Sequence, residues 1–100
     1  MIRDYDWTDR AIRDLAAARG WYDRQDVDLG NRFVDDVLKA IRIARERPGS
    51  CPSIRRNVRG VRCERFPYRI YFELIDERVF VLAIYHTARN PDLWDDPDRQ

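Results

Sequence analysis

Apolar side chains along this chain recur first at three- and four-residue spacing and then at every second residue, and the change falls at Pro48-Gly49. Ala11, Ile12, Leu15, Ala18 and Tyr22 lie on one face of an amphipathic helix. Thr8 suits its N-cap, and Asp9 lies in the first turn, where the helix dipole favours a negative charge. Gly20 weakens its later part by up to about 1 kcal/mol relative to alanine. The stretch QDVDLG, residues 25–30, breaks the pattern, and Asp28 is available to cap a second helix. That helix is the clearest element. Phe33, Val34, Val37, Leu38, Ile41 and Ala44 form its apolar stripe, while Arg32, Asp35, Asp36, Lys39, Arg42 and Arg45 take the other side. Pro48-Gly49 ends it. The short connection predicts an antiparallel helix pair.

Residues 2–7 alternate apolar and polar and predict a short first strand. Residues 54–66 read as one strand, or as two broken near Gly60. Pro67 cannot donate to a ladder and marks a strand start or an edge. Residues 68–75 and 78–86 predict a hairpin joined by Asp76-Glu77, although this pair lacks the glycine that a type I′ turn prefers. The order is β-α-α-β-β-β: an α+β fold, residues 1–100 as one domain, with the helix pair on one face of a mostly antiparallel sheet. With the turn at Asp76-Glu77, Phe72 faces Val81 and Arg69 faces Ile84. Arg69, Tyr71 and Glu73 then share a face with Phe80, Leu82, Ile84 and His86, and Arg69 and His86 become diagonal neighbours, roughly 7–8 Å apart. A one-residue slip would undo that pairing.

Charge changes the picture more by its distribution than by its total. Nineteen basic and eighteen acidic residues nearly cancel. Residues 54–70 nevertheless hold six arginines (55, 56, 59, 62, 65 and 69) against Glu64, a local net of +5, and Asp92, Asp95, Asp96 and Asp98 make a local net of −4. A basic stripe and an acidic end suit nucleic acid, an acidic protein segment or the chain's own tail. Cys51 and Cys63 have no CxxC spacing and are expected as free thiols in a reducing compartment. One histidine and two scattered cysteines supply no metal ligand set, and the four scattered glycines make no phosphate loop, so no metal and no cofactor are expected. No apolar stretch follows the charges of MIRDYDWTDR, and no run approaches the roughly 20 apolar residues of a membrane span; the expected location is the cytoplasm.

The candidate chemistry gathers where the last strand ends. His86, an imidazole between Arg69 and Arg89, would have its protonation disfavoured and remain a base at neutral pH, with the arginines on phosphate. Such a constellation could cut RNA. A lone histidine at a strand end is also an ordinary surface residue, and an arginine in a strand commonly snorkels.

RFPYRIYFELIDERVFVLAIYHTARNPDLW, residues 65–94, resembles the C-terminal sheet of the RelE/ParE toxin superfamily of bacterial type II toxin–antitoxin systems. Upstream, WTDRAIRDL, WYDRQDVDLGNRF and AIRIARERPGSCP are similar to the family's two helices, so the resemblance covers nearly the whole chain. The ending His86, Arg89, Pro91, Trp94 looks more like the ParE branch than the RelE branch. The resemblance implies a compact toxin held inactive by a cognate antitoxin that wraps it, in a plasmid-stabilisation setting. The RelE branch cleaves mRNA in the ribosome; the ParE branch is associated with poisoning DNA gyrase. Arg69 and Arg89 fall where the RNase branch carries arginines. Arg55 and Arg56 stand where that branch often has lysines, and Trp94 replaces its late tyrosine and cannot act as an acid or base. Arginine binds phosphate well but is a poor proton shuttle.

Three functions follow from the resemblance. The preferred one is a ParE-like toxin that inhibits gyrase by protein binding and needs no catalytic group. The second is a RelE-like ribosome-dependent endoribonuclease with Arg69, His86 and Arg89 as its catalytic set. The third is an inactive domain that only binds an antitoxin. Trp7, Trp21, Arg55, Arg56, Arg59, Arg62 and Trp94 are the expected partner contacts, since exposed aromatics and arginines anchor interfaces. Each tryptophan has a plainer reading as well: core or groove for Trp7 and Trp21, a cover for the sheet edge for Trp94.

Overall fold

The computed structural model describes residues 2–88. Its elements run β1 (Tyr5–Trp7), α1 (Asp9–Gln25), α2 (Val27–Glu46), a 3-10 turn (Pro48–Ser50), β2 (Ser53–Arg55), β3 (Val58–Arg62), β4 (Tyr68–Ile75) and β5 (Arg78–His86). The five strands form one sheet in the order β1-β5-β4-β3-β2. β1 runs parallel to β5 and every other neighbouring pair is antiparallel. The two helices pack against this mostly antiparallel sheet, as the change of hydrophobic period implies.

Local chemistry sets the helix ends. Thr8 caps α1, its Oγ1 accepting from the Ala11 N–H at 3.1 Å. Asp26 serves both helices, and not Asp28. Its backbone N–H closes α1 on the Tyr22 carbonyl at 2.9 Å, and its Oδ1 accepts from the Asp28 N–H at 3.0 Å. One extended residue therefore separates two helices, which forces a tight hairpin.

The main core lies between the helices and the sheet. Ala11, Phe33, Val37, Ile41, Ile70, Phe72, Val79 and Val81 are buried there. Tyr22, Phe33, Phe66 and Tyr68 close one end with edge-on and tilted ring contacts at 4.9–6.3 Å. Ile12, expected on the apolar face of α1, is instead 51% exposed. Asp36, expected on the polar side of α2, is buried. Its carboxylate accepts the N–H groups of Glu64, Arg65 and Phe66 at 3.3, 2.9 and 2.8 Å and pins the β3–β4 connection to α2.

The stretch 54–66 contains two strands, but the break falls at Arg56-Asn57 rather than at Gly60. Arg56 has φ 47°, the left-handed region, and Gly60 lies inside an unbroken β3. The β4–β5 turn is at Asp76-Glu77 as expected, with φ of 50° and 63° in the absence of glycine.

The hairpin register holds only for its first half. Ile75 to Phe72 pair with Arg78 to Val81 as expected, and then β5 takes one extra residue, Leu82. Beyond it Tyr71 faces Ala83, Ile70 faces Ile84, Arg69 faces Tyr85 and Tyr68 faces His86. A bulge of this kind exchanges the faces of everything that follows it. Its cause lies at the other edge of β5. β1 ends at Trp7, and from there α1 supplies side chains in place of a strand. Thr8 Oγ1 donates to the Leu82 carbonyl at 3.0 Å, and Asp14 Oδ2 accepts from the Ile84 N–H at 3.0 Å.

Candidate functional site

The bulge decides what the strand ends can do. His86 lies opposite Tyr68 on the helix side of the sheet, its ring edge-on to the phenol at 5.3 Å between centroids. Arg69 is the next residue after Tyr68, so its side chain leaves from the opposite face. The expected Arg69–His86 neighbourhood is therefore absent, because Leu82 turns the end of β5 over. His86 is exposed, and its Nδ1 accepts from the Ala88 N–H at 3.0 Å, which places the ring proton on Nε2. Burial raises the pKa of the Tyr68 phenol beside it, so Tyr68 stays a protonated donor and is a poor base. Arg89 and Trp94 lie outside the described residues.

The second face of the sheet carries its own apolar cluster of Val58, Tyr71, Ala83 and Tyr85, all buried, with Ile54 and Leu82 against it. The Tyr71 and Tyr85 rings meet at 5.6 Å, and the Arg10 guanidinium lies over Tyr85 at 5.0 Å. An unbulged register would put Ala83 and Tyr85 on the helix side; the Leu82 bulge brings them to this face beside Tyr71.

The basic stripe divides among several surroundings. Arg59 donates to the Cys51 carbonyl at 3.0 Å and holds the 3-10 turn to the sheet. Arg65 lines a small cavity with Arg32, Asp35, Asp36 and Lys39. Arg55 and Arg56 stand at the β2–β3 turn, the second of them exposed. Arg62 and Arg69 are direct cross-strand partners on the second face. That pairing was legible only to a reading that carries β3 straight through Gly60. Here Gly60 has a packing role: a Cβ on it would meet Ile54 side-chain atoms at 3.1 Å and the Arg69 Cδ at 3.2 Å. Its hydrogen lets both side chains close over β3.

Of the tryptophans, Trp7 is partly buried against the main core, its ring 6.2 Å from Tyr5. Trp21 is 52% exposed on α1, edge-on to Tyr22 at 5.0 Å. It is the aromatic most open to a partner among the described residues. Among the described residues no group of histidine, cysteine and carboxylate side chains could hold a metal ion. No described helix is long and apolar enough to cross a membrane.

This fold recurs in solved toxin–antitoxin structures. The chain superposes on one from the chromosomal ParDE system of P. aeruginosa with a TM-score of 0.73 at 21% identity, over 85% of this chain and 96% of that one. It superposes on one from the RelBE2 toxin–antitoxin complex of Mycobacterium tuberculosis with a TM-score of 0.60 at 22% identity, over 86% and 99%. Among curated proteins, none matches the chain in sequence. Residues 5–91 match the family described as the ParE toxin of the type II toxin–antitoxin system, parDE, and the chain belongs to that family. It is a type II toxin-family protein of the RelE/ParE superfamily, on the ParE side.

Proposed function

We propose that this protein is the toxin of a ParDE-type pair, that it inhibits DNA gyrase by binding it, and that a cognate antitoxin neutralises it. The family match over residues 5–91 supports the toxin and its partner class. The observation that carries the mode of action is the Leu82 bulge. It sends Arg69 and His86 to opposite faces, which counts against their acting together as general base and phosphate holder on one phosphoryl group. Docking requires only a rigid scaffold with exposed anchors, and Trp21, Arg56 and Arg62 supply these.

The test uses purified full-length protein with gyrase, ATP and supercoiled plasmid, and in parallel induction in cells followed by primer extension on mRNA. Gyrase-dependent double-strand breaks with intact mRNA are the expected result, and co-expressed antitoxin abolishes the breaks. Ribosome-dependent mRNA cuts that vanish in Arg69→Ala or His86→Ala, with gyrase unaffected, would replace this reading with a RelE-like endoribonuclease. Binding to the antitoxin with neither effect would leave an inactive antitoxin-binding domain.

A further inference from the structure

Arg62 and Arg69 face each other directly across β3 and β4. The ladder alternates: Cys63 N–H bonds to the Tyr68 carbonyl at 2.9 Å, whereas Gly60 N–H turns away from β4 to the Pro52 carbonyl at 3.0 Å. Arg62–Arg69 is therefore a pair without ladder bonds, the position where side chains come closest, with Cα atoms about 4.5 Å apart. Like charges set directly opposite at this spacing are destabilising. Neither guanidinium makes an ion pair among the described residues. Gly60 tightens the arrangement by letting the Arg69 stem lie against the strand.

The same alternation points the backbone N–H and C=O of Arg62 outward, past Gly60, the last β3 residue bonded to the segment that leads into β2. A cavity of about 190 Å³ opens at this notch, lined among others by Ser50, Cys51, Pro52, Gly60, Arg62 and Arg69. From this geometry we infer that the notch is a carboxylate site for an acidic, extended segment of a protein partner. Two guanidinium forks take one carboxylate bidentately, and the Arg62 backbone, unpaired on its outer side among the described residues, pairs with the segment's main chain. No aromatic ring lines the cavity, so nucleic-acid bases would have only the guanidinium planes of Arg62 and Arg69 to stack on, the same groups that take the carboxylate. The site deepens the proposed function, resting on it only for the partner's identity as an antitoxin.

The test needs neither gyrase nor cells, so failure of the gyrase reading leaves its result standing. Fluorescein-labelled hexaglutamate and hexauridylate are titrated into the full-length protein and followed by anisotropy. Hexaglutamate is expected to bind, with affinity falling about tenfold in Arg62→Gln and in Arg69→Gln. Arg62→Lys and Arg69→Lys recover only part of the loss, because an ammonium lacks the fork. Arg13→Gln and Arg24→Gln, both exposed on α1, stay within about twofold of the parent. Without peptide, Arg62→Gln melts no lower than the parent, since it relieves the repulsion. Equal losses at Arg13 and Arg24, full recovery by lysine, an Arg62→Gln protein of lowered Tm, or tighter binding of hexauridylate with the same residue dependence would each overturn the site.

Discussion

At the scale of single residues, the buried carboxylate of Asp36 does more for the fold than its place in the sequence implies. On a helix whose neighbours at 35, 39 and 42 face water, an aspartate at 36 reads as one more solvated charge. It is instead the acceptor for three consecutive backbone N–H groups of the β3–β4 connection. Removing it leaves three part-buried donors unpaired, and each bond to a charged group contributes on the order of 1.5–3 kcal/mol. Asp36→Ala should therefore lose about 3–5 kcal/mol, read as a fall in the urea midpoint. Asp6 makes a surface contrast. The Arg78 Nε donates to it at 2.6 Å, and this hydrogen bond holds its carboxyl below the ordinary 3.8. A lowered folded pKa means stability that is present above the unfolded value and lost as pH falls through the folded one. The stability difference between the parent and Arg78→Gln should stay constant at neutral pH and shrink as the pH falls below 3.8, in denaturation curves taken across that range.

At the scale of elements, periodicity located both helices and the β4–β5 hairpin, because each buries one face and so writes its spacing into the chain. What it could not carry was the bulge. Along 78–86 the side chains are apolar at nearly every position, so alternation gives no sign of an extra residue at Leu82. The cause lies about seventy residues away, in Thr8 and Asp14 at the edge of β5, and no local pattern records it. The candidate site is affected for the same reason: an unbulged register puts Arg69 beside His86, and that register holds only as far as Val81. The break between β2 and β3 shows a related limit, since an arginine occupies the left-handed position where glycine would have announced the turn. Thr8 joins the two levels. Its Oγ1 caps α1 and donates to the bulged carbonyl, so Thr8→Ala should cost about 1–2 kcal/mol. Thr8→Ser, which keeps the hydroxyl, should recover most of that loss in the same urea titration.

At the scale of the whole molecule, the two cysteines report on how the fold opens. Cys51 and Cys63 are free and buried, and both belong to the main core. Burial pushes the Cys63 thiol up to about 12, and the nearby Asp36 carboxylate adds to the effect; burial raises Cys51 as well. A folded pKa above the unfolded value near 9.0 means that the thiol's contribution is intact below pH 9.0 and is lost as the pH rises from there toward 12. The protein should therefore weaken in alkali over that window, and Cys63→Ala should remove that part of the pH dependence while lowering stability overall. The thiolate is the reactive species, and neither cysteine presents one at pH 8 while the core is closed. Alkylation by iodoacetamide at pH 8 then has to wait for opening, and should run about a thousandfold or more slower than in urea. Because Cys51 is fixed through the 3-10 turn and Cys63 through β3 and the Asp36 clamp, modification of both in one kinetic phase would mark cooperative opening of helices and sheet together. A fast phase confined to Cys51 would instead mean that the turn over 48–52 opens by itself, and with it the wall of the notch beside Arg62 and Arg69.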